Sequence, residues 1–97
     1  MKKIYESVAF GIVAVHELKE MIRDECSDEK REALESVRFA YYYLIDNICK
    51  QFGCTRINVA EALVENGYDH HQAVEILDSY EDWAQHVVKS NERGDNT

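Results

Sequence analysis

Ninety-seven residues suffice for one compact core and leave no room for a second domain of ordinary size. Hydrophobic residues at 45% beside 31% charged ones describe a chain that folds and exclude a disordered one. The formal net charge of -8 disfavours nucleic acid and anionic membrane as direct partners, and it suits contact with another protein that carries a basic surface.

The chain begins with an unusual stretch. Val8-Ala9-Phe10-Gly11-Ile12-Val13-Ala14-Val15 is an unbroken apolar run between polar flanks, far too short to span a bilayer. Lys2 and Lys3 precede it in the manner of a signal peptide, but His16-Glu17-Leu18-Lys19-Glu20 follows where a small-x-small cleavage site belongs. A chain that is not exported is therefore expected. Cys26, Cys49 and Cys54 are odd in number and lack framework spacing, so they read as free thiols of a reducing compartment, hence cytoplasmic. Ile4, Val8, Ile12, Val15 and Ile22 form a helical stripe with Leu18 and Met21 beside it, which predicts a helix over about 3–25. Gly11 inside that helix costs roughly 1 kcal/mol relative to alanine and marks a close helix crossing. Because the run has no polar side, it needs cover all round, from three other helices or from a second copy. The expectation leans to a homodimer that packs over Phe10 and Val13, with Gly11 allowing close approach.

Cys26-Ser27-Asp28-Glu29 reads as a turn in which Ser27 or Asp28 caps a second helix over about 29–52. Leu34, Val37, Tyr41, Leu44 and Ile48 are its expected inner stripe, widened by Ala33, Ile45 and Phe52. The short connection implies an antiparallel hairpin. Phe39, Tyr41, Tyr42 and Tyr43 surround this helix, so some must lie at a rim, and Tyr42 and Tyr43 beside Arg38 are candidate contact residues. Gly53 fits the stop. Asn58-Val59-Ala60-Glu61 has the form of a capping box, with Thr55 as a competing cap, and predicts a third helix over about 58–66. Gly67 supplies a left-handed stop, with Tyr68 placed to touch Leu63 as a Schellman motif requires. Asp69-His70-His71-Gln72 is again a capping box, opening a fourth helix over about 70–89 whose stripe is Ala73, Ile76 or Leu77, Tyr80, Trp83 or Ala84, and Val87. The whole reads as an all-α, compact four-helix domain over 1–90, a long antiparallel hairpin plus a short-long pair, with a disordered polar tail at 91–97.

Chemistry is sparse in this pattern. His16 with Glu20, and Asp82 with His86, stand one helical turn apart, yet no His-Glu-x-x-His or Glu-x-x-His motif accompanies them. Cys49 and Cys54 have no companion pair. His70 and His71 occupy the first turn of a helix, where a positive charge is disfavoured. There is no Gly-rich phosphate loop and no nucleophile elbow. The expectation is a non-enzyme with no catalytic residues, no cofactor and no metal.

Two family resemblances arise in the second half. Gly67-Tyr68-Asp69-His70-His71-Gln72-Ala73-Val74-Glu75-Ile76-Leu77, with Val59, Leu63 and Asn66 before it, resembles the first turn and second helix of a ubiquitin-associated domain. That resemblance implies ubiquitin binding through Gly67, Tyr68 and Leu77, although Asp78-Ser79-Tyr80-Glu81-Asp82-Trp83 continues the helix where the family places a loop. Val59-Ala60-Glu61-Ala62-Leu63 is similar to the start of a helix-turn-helix and implies DNA reading, against which Glu75, Asp78, Glu81 and Asp82 stand in the would-be recognition helix. The leading expectation is a non-catalytic, acidic protein–protein interaction module, a regulator, adaptor or inhibitor. In a sharper form it occludes a basic nucleic-acid-binding surface of its partner, as a DNA mimic would. Tyr42, Tyr43, Tyr68, Asp78, Glu81 and Asp82 are its candidate partner contacts; Phe10, Gly11 and Val13 are the candidates for self-association.

Overall fold

A computed structural model describes residues 2–95, with side chains through Lys89. Four helices follow one another: α1 (Lys2–Asp24), α2 (Asp28–Phe52), α3 (Arg56–Glu65) and α4 (His70–Asp95). Among the described residues there is no strand, and no helix is long and apolar enough to cross a membrane. The expected all-α, four-helix architecture is observed. The fourth helix runs on to Asp95 rather than ending near Lys89. Of the expected polar tail, Asn96 and Thr97 lie outside the described residues.

Local chemistry places the boundaries. Ser27, in an extended conformation, accepts a hydrogen bond from the Lys30 backbone N–H and caps α2. Arg31 closes the turn from the other side by donating to the Glu25 carbonyl at 2.7 Å. Gly53 ends α2 at φ 66°, in the left-handed region where a side chain would be strained. The two competing caps of the third helix prove to be halves of one device. The Thr55 hydroxyl accepts from the Asn58 N–H, and Asn58 Oδ1 accepts from the Thr55 N–H, each at 3.3 Å. The helix therefore starts at Arg56 and not at Asn58, which serves as the N3 partner. At its end, Tyr68 N–H donates to the Leu63 carbonyl and Gly67 N–H to that of Val64, both at 3.2 Å. This is the paired bonding of a Schellman motif, with Leu63 fully buried beneath it. Asp69 and Gln72 exchange side-chain and backbone bonds of 2.7 and 3.1 Å to open α4.

Packing is organised around α1, which touches α2, α3 and α4. Val8, Ala9 and Val15 are each 1% exposed, and Ile12 joins them in a core with Ile45, Val59, Ala62, Leu63, Ala73, Ile76 and Leu77. The shortest extent of the molecule is 19 Å, room for two layers of helices at about 10 Å separation but not three. One layer is the α1–α2 hairpin, and the other is α3 with α4.

The second helix departs from its expected phase. Tyr42 and Ile45 are its buried residues, whereas Val37, Tyr41 and Leu44 of the expected stripe, and Ala33 and Phe52 expected to widen it, are exposed. The cause is its marginal position. α2 leans on α1 through Ile45 and on α4 through Tyr42, so the seam rotates onto the row Arg38, Tyr42, Ile45 and Cys49. Gly11 marks a close helix crossing, as expected, and the helix that approaches it is α2 of the same chain. A Cβ there would lie 3.1 Å from both Cδ1 and Cγ1 of Ile45.

That crossing gives a measurable coupling. Gly11→Ala should lower thermal stability by about 1 kcal/mol, overpacking of about 1–3 kcal/mol exceeding the helix propensity gained. Ile45→Val should cost less in the Gly11→Ala protein than in the wild type. Additive losses in that double-mutant cycle would show that the two residues do not meet.

Candidate interaction surfaces

Two apolar surfaces remain open, one on each layer. The first is the side of the α1–α2 hairpin that faces away from α3 and α4. Phe10 and Met21 on α1 are each 52% exposed, and Val37, Tyr41 and Leu44 on α2 are 47%, 37% and 60% exposed. Steps of three and four residues keep each set on one helix face. The antiparallel pairing of Gly11 with Ile45 brings Phe10 level with Leu44 and Ile48, and Met21 level with Val37. Between these large side chains lie Ala14 and the exposed Glu17 on α1 and Ala40 on α2. The outer row of α2, from Ala33 through Val37, Ala40, Leu44 and Asn47 to Gln51, carries no charge in a chain that is 31% charged.

The second is an open groove of about 540 Å³ between α3 and α4, floored by Ile57, Ala60, Val64 and Val74 and rimmed by Arg56, Glu61, Glu65 and His70. Ile57 is 69% exposed, the most open large apolar residue among those described. Rim charges are partly paired. Arg56 reaches across to α4, with Nη2 2.6 Å from Asp78 Oδ1 and Nη1 2.5 Å from Glu81 Oε1; these bonds raise the Arg56 pKa further. Lys2 Nζ stands 3.5 Å from Glu65 Oε2. Glu61 is exposed at the rim.

The residues singled out from sequence do not form one patch. Tyr42 is buried, its ring 5.9 Å from Trp83 in an edge-on contact. Tyr43 is exposed and stacks edge-on against Phe39 at 4.8 Å. Arg38 lies over the Trp83 ring at 4.2 Å, a cation–π contact that helps fasten α2 to α4; burial lowers its pKa, against the pull of Glu35. Tyr68 packs inward against the core. Leu77, which the ubiquitin-associated resemblance would place in a binding patch, is 3% exposed. Asp78 and Glu81 turn to Arg56, while Asp82 shares a shallow cleft with Lys19, Arg38, Trp83 and His86. Of the self-association set, Phe10 is exposed, Gly11 meets Ile45, and Val13 is half-buried against the core. The groove-lining Ile57, Ala60 and Val64 were missed, although their three- and four-residue spacing is a visible second stripe on α3.

Among the described residues no three His, Cys, Asp or Glu side chains converge on a point that could hold a metal ion. The half-buried Cys49 thiol is pushed up to about 11 by burial, then by its neighbour Cys54, to which it is hydrogen-bonded. It therefore stays protonated near neutral pH and is a poor nucleophile. Tyr80, over the same small cavity, is also shifted upward, chiefly by burial. Iodoacetamide at pH 7.5 should accordingly label the exposed Cys26 first and Cys49 last, and raising the pH toward 10 should accelerate Cys49. Peptide mapping that finds equal rates at pH 7.5 would contradict this environment. No protein-family model, curated protein or solved structure matches this chain.

Proposed function

We infer that the chain is a non-catalytic protein-interaction module, a regulator, adaptor or inhibitor, whose α3–α4 groove receives apolar side chains from a basic segment of its partner. The supporting observation is the position of Ile57, 69% exposed on the floor of a groove it shares with Val64 and Val74. A single exposed isoleucine is ordinary, but several aligned along a concave strip make a seat for an amphipathic helix. Glu61 and Glu65 border the strip, and the net charge of -8 surrounds it. Lysine or arginine flanking the partner's apolar anchors would complement that rim, mainly by speeding encounter. The apolar floor then supplies residence time.

The occluding form of this reading would draw on exposed carboxylates at the α1–α2 turn, such as Asp28, Glu29 and Glu32. Asp78 and Glu81 are already engaged by Arg56 and support it less.

Both α3 side chains are open to solvent, so replacing them should leave the fold intact. Ile57→Asp with Val64→Asp should lower capture of the partner from native-host extract at least about tenfold, the loss of one or two apolar anchors. A Ser36→Asp protein, altered on an exposed part of α2, should retain it. If every captured protein binds wild type and groove variant alike, the groove is not the contact surface.

A further inference from the structure

We propose that the outer face of the α1–α2 hairpin is covered by a second copy of this chain, in a two-fold symmetric dimer with the two hairpins crossing antiparallel. Phe10, Met21, Val37, Tyr41, Leu44 and Phe52 are each about half exposed; together they leave roughly 500 Å² of apolar side chain open, near the top of the range a monomer normally shows. A stable interface buries about 800 Å² per partner, and the small and polar residues among these six, Ser7, Ala14, Ala40 and Asn47, bring the face to that size. Among the described residues nothing covers it, since the two helical layers place α3 and α4 on the opposite side of the hairpin.

Charge selects a second copy and its orientation. A protein of net charge -8 repels itself least where carboxylates are few; the outer row of α2 carries none, and the α1 row brings one, Glu17, to the face. The hairpin is electrically lopsided: Lys3 stands at its open end, with Lys2 turned to Glu65 of α3, whereas at its turn Glu20, Asp24, Glu25, Asp28, Glu29 and Glu32 outnumber Arg23, Lys30 and Arg31. Parallel stacking of two hairpins would superpose the acidic turns. A two-fold axis through the middle of the face, near Ala14 and Tyr41, instead sets the lysine end of each copy over the acidic turn of the other. The same residue then meets its own equivalent near the axis, as an isologous interface requires. Alanines at positions 14 and 40 leave room for the large side chains of the facing copy. The resulting contact is a four-helix arrangement of two hairpins, each also backed by its own α3–α4 layer.

This inference stands apart from the groove reading, because the groove is lined by α3 and α4. Sedimentation velocity of the full chain at micromolar to 100 micromolar concentration tests it. Wild type should sediment at twice the chain mass, and Leu44→Glu and Phe10→Glu should each sediment as monomers with an unchanged helical circular dichroism spectrum. Ala14→Cys, in a Cys26→Ser background, should form an intermolecular disulfide under mild oxidation, while Glu61→Cys in that background should not. A monomeric wild type overturns the proposal, as does a dimer that survives both glutamate substitutions. If Ile57→Asp dissolves the dimer while Leu44→Glu leaves it intact, self-association belongs to the groove instead. Should either glutamate variant fail to fold, Val37→Lys, at another half-exposed position of the face, reads out the same surface with the opposite charge; a folded dimer there also overturns it.

Discussion

The structure depends on the need to bury a helix segment that has no polar side. Val8–Val15 presents apolar atoms around most of its circumference, and a single partner helix can cover only a stripe. α1 has three neighbours, which cover most of the run and leave Phe10 half exposed. α2 approaches so closely that it rests on Gly11, while α3 and α4 close over Val8, Ala9, Ile12 and Val15. Every other helix is placed by its relation to this one. α3, only ten residues long, would be marginal alone; it persists because Leu63 is buried completely where α3 meets this core.

The same constraint explains why α2 keeps an apolar surplus. A helix at the margin of a bundle can bury one seam, and the seam of α2 is set by where α1 and Trp83 lie. Two rows compete along its sequence. Val37, Tyr41, Leu44 and Ile48 are uniformly apolar, whereas Arg38, Tyr42, Ile45 and Cys49 include a charge. Hydropathy favours the first row; the fold turns the second inward, burying Tyr42 and Ile45 and half-burying Arg38 and Cys49. Arg38 is tolerated half-buried because its guanidinium carbon stands 4.2 Å from the centre of the Trp83 indole ring. That contact spans 45 residues of sequence, and no local pattern announces it.

Legibility therefore followed the range of the interaction. Helix number, order and ends were readable to within a few residues, since caps and glycine stops are written within four or five positions. The left-handed Gly53, the Schellman bonds of Gly67 and Tyr68, and the Asp69–Gln72 box are of this kind. Contact residues were far less readable, because a tyrosine or a carboxylate advertises capacity but not occupation. Tyr42 and Tyr68 were spent on the core, and Asp78 and Glu81 on Arg56, 22 and 25 residues away. Ile57 escaped notice for a local reason. Placing the cap at Asn58 left it outside the helix, and only with Thr55 as cap do positions 57, 60 and 64 fall on one face.

The two open surfaces lie on opposite layers, and their independence has a consequence for a binding module. If the hairpin face holds two copies together, the α3–α4 grooves remain outside and are presented twice. A partner with two docking segments, or an oligomeric one, would then be held with an effective concentration set by the spacing of the grooves, without any new contact. The acidic charge serves specificity in the same arrangement. In such a dimer the uncharged outer row of α2 would be where like meets like, and the excess of carboxylates at the α1–α2 turn would penalise the parallel register that the apolar side chains alone would tolerate. Repulsion, as much as burial, would then select between the two registers.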